Sequence, residues 1–339
     1  MESKKIDCYT HFCCPAFMAH LEERSGHDMV FRGLFNQIPE LTSVEARLAY
    51  MDKHGIEKHC LVPLPWLECE PSLHANLDEA ITACQCANNE MSKVQAAHPD
   101  RFIGIALVPT STAEGMVAEA KRAVRELNLN GIALFCGPTV KPLDDPSFDP
   151  LYQACEEMDV PIWVHPCRPQ QYADYDAYAG SEGSKHQIWN TLGWIYDTSV
   201  SMVHMALGGV FRRYPGLKVV SHHHGGMIPF FTERFHTQMR NFRDDSQEDL
   251  INDLKLFYCD TATFGVNSGN IRQALDFFGP DRVMFGTDTP MDMGESGFFT
   301  TTTMASIEGL VLDKEMVKKV MHGNVEALLS RRSTERSSL

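Results

Sequence analysis

Eight short apolar runs spaced along the 339 residues most constrain what this chain can fold into. They are KKIDCY (4–9), KHCLVPL (58–64), RFIGIALVP (101–109), NGIALF (130–135), VPIWVHP (160–166), LKVVSHH (217–223), LKLFYCDTA (254–262) and DRVMFGTD (281–288). Each is rich in β-branched or aromatic residues and bounded by Pro, Gly or Asp, the pattern of a strand buried on both faces. The stretches between them have helical spacing. SVEARLAYMDKHG opens on a Ser cap and stops at Gly, and LDEAITACQCANNEMSKVQAAHP ends before Pro99. Eight strands alternating with helices predict an α/β fold, a (β/α)8 TIM barrel rather than an open doubly wound sheet. Residues 1–330 are expected to form one domain and 331–339 a frayed tail. The long connections 12–57 and 167–216 are expected to carry lid-like insertions after the first and fifth strands.

Composition removes several function classes. Thirty basic residues against 45 acidic ones give a net charge of −15. That disfavours nucleic acid and anionic membrane as partners. No apolar run reaches the length of a membrane span. The first residues, MESKKIDCYTHF, hold no apolar signal core. The eleven cysteines show no C-x-x-C spacing, so they read as reduced thiols of a cytoplasmic protein.

In a barrel of this kind the active site sits where strands end. The first run leads into His11, the fifth ends at His165, the sixth at His222-His223-His224 and the eighth at Asp288. Histidine and aspartate are ligand types, so imidazoles and a carboxylate converging at one barrel end suit a divalent ion of the Zn or Mn type. Strand alternation allows either His222 with His224, or Ser221 with His223, to face the axis. Met284, Gly286 and Asp288 would face inward on the eighth run.

The segments IDCYTHF, RFIGIALVP, VPIWVHP, GGVFRRYPGLKVVSHHHGGMIPFF, FYCDTATFG, DRVMFGTDTP and HGNVEALL, in that order, resemble the amidohydrolase superfamily. Within it they are similar to the branch of 2-amino-3-carboxymuconate-6-semialdehyde decarboxylase and γ-resorcylate decarboxylase. The resemblance implies a metal-dependent, non-oxidative decarboxylase of a small aromatic or conjugated carboxylic acid. It implies one divalent ion, zinc first and manganese second, held by His11, His165 and Asp288. Counted back from Pro229, the catalytic histidine falls on His223, with Asp288 as ligand and proton carrier. His222 is then a flanking residue in the second layer. The relatives often dimerise, so a homodimer or higher homo-oligomer is expected.

Tyr9 departs from that pattern, standing where the resemblance puts the first metal ligand. A phenol ordinarily titrates near pH 10 and is a poor ligand unless the metal lowers that value. Three ligands suffice, Tyr9 binds as phenolate, or Tyr9 donates to a substrate carboxylate; the first combined with the third is preferred. Arg168 and Trp66 are further candidates for contact with a carboxylate substrate. The alternatives are a hydrolase or hydratase using a metal-activated water, and a metal-free binding barrel. Arg47 reads as an ordinary helix-face charge.

Overall fold

The computed structural model describes residues 4–25, 37–64, 76–168, 186–239, 247–262, 264–266, 268–292 and 297–330. Within them the apolar runs lie side by side as parallel strands. β1 (Ile6–His11), β2 (Lys58–Val62) and β3 (Phe102–Gly104) form one ladder. β4 (Ala106–Leu107), β5 (Ile132–Cys136), β6 (Ile162–Pro166), β7 (Val219–Ser221) and β8 (Tyr258–Cys259) form the other. The third run is thus split into β3 and β4. The hydrogen bonding carries on across the break, because Ile105 N–H donates to Leu61 and Ala106 N–H to Gly131.

The eighth run is not a regular strand, but it is held from both sides. Met284 N–H donates to Cys259 of β8, Cys8 and His11 of β1 donate to Phe285 and Thr289, and Asp288 donates to Tyr9. Asp288 itself takes a φ of 64°, which interrupts the ladder there. A short polar side chain tolerates that left-handed backbone better than most. With residues 281–289 joining β8 to β1, the chain has the (β/α)8 barrel architecture that its patterning predicts.

The helices start and stop where their caps stand. Ser43 accepts from Ala46 N–H at the start of the helix Val44–His54, and Gly55 ends it at a φ of 65°. Asn76 and Thr112 cap the helices Leu77–Ala97 and Ala113–Arg125 in the same way. The barrel interior is filled by side chains: Trp163 is fully buried, and its indole N–H reaches across to the Cys8 carbonyl. Gly131 makes room for that ring, since a Cβ there would collide with Trp163 and the Pro161 carbonyl.

Arg47 corrects the sequence reading. It is fully buried rather than a solvated helix-face charge. Its Nε donates to the Glu40 carbonyl at 2.8 Å and its Nη2 to the carbonyl of His11. The buried faces of β1 and of its own helix leave the guanidinium nowhere else to go. Arg47→Met is therefore expected to leave the buried His11 carbonyl and the half-buried Glu40 carbonyl unpaired and to cost about 3 kcal/mol. Urea denaturation reads this; a midpoint within error of the wild type would show that the bracing carries no weight.

Of the long connections, the first holds the helices Pro15–Ser25, Pro39–Thr42 and Val44–His54. Residues 169–185 of the second connection and Trp66 lie outside the described residues, as does the tail 331–339. Among the described residues no helix is long and apolar enough to cross a membrane.

Candidate metal centre

Four buried side chains converge at the strand ends. His11 closes β1, His165 lies on β6, His222 follows β7 and Asp288 ends the eighth run. One possible ligand atom from each lies within 4.8 Å of the others. The structure thus brings His11, His165 and Asp288 together and adds His222, which sequence reasoning had put in the second layer.

What these donors can do is decided by the atoms behind them. His11 Nδ1 lies 3.1 Å from the Val62 carbonyl, and His165 Nδ1 lies 2.7 Å from the Pro166 carbonyl. His222 Nδ1 is bonded to the Asp260 carboxylate. Those oxygens can only accept, so Nδ1 carries a proton in each ring and Nε2 is the atom left to face the centre. His11 Nε2 then faces Asp288 Oδ1 at 2.8 Å, and His222 Nε2 faces the same oxygen at 3.2 Å. Lone pairs opposed at that range repel unless a proton or a cation lies between them. Both Nε2 atoms and Asp288 Oδ1 are buried without a hydrogen-bond partner. Three imidazole nitrogens, each ring braced from behind, and one carboxylate fit a divalent transition-metal ion.

The local electrostatics favour the same set. Burial opposes the Asp288 charge, but His222 and His11 outweigh it and hold the carboxyl well below its ordinary range. Burial also opposes a charge on His222, yet Asp260 and Asp288 raise it to about 9. Burial and the neighbouring His11 and His222 keep His165 well below its ordinary value and hence neutral.

Strand alternation fails at the sixth run for a visible reason. β7 stops at Ser221, and His223 and His224 adopt φ values of 54° and 58°. The chain therefore turns, and His222 and His223 both approach Asp288. His223 Nε2 lies 4.0 Å from Asp288 Oδ2, and its ring lies 3.7 Å from that of His222. Both His223 nitrogens are buried without a partner. Burial and His222 lower it to about 3, so it is a neutral imidazole at physiological pH.

Tyr9 is fully buried, and its hydroxyl donates to the Val164 carbonyl at 2.9 Å. Burial, with Asp260 and Asp288 nearby, pushes the phenol well above its ordinary value. In this structure the hydroxyl proton is engaged by the Val164 carbonyl. What Tyr9 offers the site is its ring, stacked on His222 at 3.8 Å and 12°. Tyr9→Phe is expected to keep metal affinity within about threefold, while Tyr9→Ala frees His222 and weakens it about 10–100-fold. Titration against a chelating dye measures both; equal losses in the two variants would deny the ring this role.

Arg168 is engaged elsewhere. Its Nε and Nη2 fork onto Asp197 at 2.7 and 2.6 Å, a charge-compensated pair rather than a cation awaiting a substrate. Asp292 accepts from the Gly297 and Phe299 N–H groups, so it caps the helix Phe298–Glu308. Sequence reasoning missed Asp260. Its signal was there: it ends the seventh run, FYCDTA, as Asp288 ends the eighth.

Known proteins resemble this chain over most of its length. The chain is 25% identical over 314 residues to 2-amino-3-carboxymuconate-6-semialdehyde decarboxylase of Dictyostelium discoideum, covering 86% of this chain and 83% of that one. It is 30% identical over 264 residues to γ-resorcylate decarboxylase of Rhodococcus jostii, covering 73% and 77%. Among solved structures, a dihydroxybenzoic acid decarboxylase from Polaromonas sp., with bound manganese and the inhibitor 2-nitroresorcinol, superposes with a TM-score of 0.78. That match is at 22% identity and covers 96% of this chain and 97% of the other. The family model described as Amidohydrolase matches residues 6–331. This chain belongs to the amidohydrolase family.

Proposed function

We propose that the protein is a metal-dependent carboxy-lyase that removes carbon dioxide, without an oxidant, from a small aromatic or conjugated carboxylic acid. The observation that carries this is the convergence of three Nε2 lone pairs on the Asp288 carboxylate, with a neutral His223 beside it. His11, His165, His222 and Asp288 would hold one divalent ion. Zinc and manganese both suit three nitrogens and a carboxylate. Manganese is the ion named with the Polaromonas structure, and it is our first choice. A divalent ion held there would supply positive charge to offset that of the substrate carboxylate and of the reacting ring.

The chain's own groups do the rest. A proton must reach the carbon that bears the carboxylate; the C–C bond then breaks and carbon dioxide leaves. The proton comes from solvent, and Asp288 and His223, neither of which holds it at rest, are the groups placed to take it up and pass it on, with 4.0 Å between Nε2 and Oδ2. Asp260 and the Tyr9 ring keep His222 in place while this happens.

The test is carbon dioxide release from hydroxybenzoates and conjugated dienoic acids, with protein reconstituted in manganese and, separately, in zinc. Release from at least one acid, lost in His223→Asn, is the expected result. Hydration or hydrolysis products with no carbon dioxide from any acid would replace this reading with the hydrolase or hydratase one.

A further inference from the structure

His224 has no part in the chemistry above, yet it is built into the wall of a cavity beside it. The cavity has a volume of about 210 Å³ and is lined in part by His223, His224, Phe230, Ala262, Phe264 and Gln273. It reaches the metal centre through His223, which is the only one of these six within reach of Asp288. An apolar cavity of about 150 Å³ accepts a benzene, so this one takes a single substituted ring and not two. Phe264 stands edge-on to His223 at 5.4 Å and stacks on Phe299 at 4.4 Å, which gives a seated ring flat aromatic neighbours.

His224 supplies this space with a polar atom. Its Nε2 is buried with no partner. In the tautomer protonated on Nδ1 that atom is an acceptor. His224 is only 6% exposed, and a buried acceptor without a donor is a standing cost that a suitable ligand relieves. No Lys, Arg, Asp or Glu is among the described residues lining the cavity. A second charge on the ligand would therefore be desolvated here without compensation.

We propose that this cavity is the substrate's distal subsite and that His224 is a specificity-determining residue. Its Nε2 accepts a hydrogen bond from an uncharged O–H or N–H substituent on a single-ring monocarboxylate whose carboxylate lies toward Asp288. This inference rests on the decarboxylase reading for the placement of the carboxylate, but its test does not depend on turnover.

The test uses manganese-loaded protein and calorimetric binding of benzoate, its 2-, 3- and 4-hydroxy and methoxy derivatives, and benzene-1,3-dicarboxylate. The wild type is expected to bind one hydroxy isomer about tenfold or more tighter than the matching methoxy compound. The dicarboxylate should bind at least about tenfold more weakly than benzoate. His224→Leu should erase the hydroxyl preference while leaving benzoate affinity within about twofold. His224→Gln, which restores an acceptor oxygen, should recover part of it and serves if the Leu variant does not fold. A hydroxyl preference that survives in both variants overturns the assignment, and so does the absence of binding by every member of the set. A preference that depends on His224, without carbon dioxide release from any ligand, keeps the subsite and overturns the decarboxylase reading.

Discussion

Stripped of divalent ions by a chelator, the protein is expected to lose all carbon dioxide release and to melt about 5 °C lower than the metal-loaded form. The melting shift follows from mass action: an ion at 100 to 1,000 times its dissociation constant stabilises the fold by about 3–4 kcal/mol, and a chain of this length shifts its Tm by between 1 and 2 °C per kcal/mol, roughly. The loss has a pH signature. Without metal, burial disfavours a charged His222, but Asp260 and Asp288 raise it to about 9. At pH 7 that imidazole holds a proton in the place of the ion, so binding must displace about one proton. Metal affinity should therefore rise with pH toward about 9 and flatten above it. Calorimetry in buffers of different ionisation heat counts the protons. Metal uptake with none released, or an affinity flat from pH 6 to 9, would mean that His222 is not a ligand.

Asp288→Asn should be the most damaging single substitution, lowering turnover by at least about 10³-fold. It preserves volume and removes the charge toward which His11 and His222 point their lone pairs. Metal affinity falls first, and excess manganese should refill the site. Turnover should stay low even then, because an amide cannot carry the proton that His223 and Asp288 exchange. Two measurements separate the roles: bound metal per chain, and rate at saturating manganese. A variant that recovers full turnover once refilled would leave Asp288 as a ligand and nothing more. His165→Ala is the control, since His165 has a place among the four metal-binding residues and none in proton transfer.

The centre was legible in part. His11, His165 and Asp288 are the right residue types at the ends of recognisable strands, and the structure brings them together. His222 and His223 could not be separated by alternation, since that rule assumes an extended chain. Here β7 ends at Ser221 and two successive residues turn to positive φ. Tyr9 shows the opposite difficulty. Its position on the face shared with His11 was foreseeable, but a tyrosine side chain has both a ring and a hydroxyl to use. Only the Val164 carbonyl, 155 residues away, decides that the hydroxyl faces the wall and the ring faces His222. Arg47 and Arg168 were read as surface or substrate cations because composition along one helix says nothing about what packs against it. The buried carbonyl of His11 and the Asp197 carboxylate claimed them.

By itself, the order of the residues determined the architecture of this protein. Eight apolar runs with helical stretches between them bury both faces of each strand in a parallel barrel, and that arrangement sends every strand's end to the same side. Burial is a sum over many residues, so its pattern survives in one dimension. The tertiary structure decided which atoms point where. Nε2 of three histidines became a donor set because oxygens of Val62, Pro166 and Asp260 each accept a hydrogen bond from the other ring nitrogen. A hydrogen bond is a contact between two particular atoms, and when its partners lie 38 or 51 residues apart nothing local in the chain encodes it.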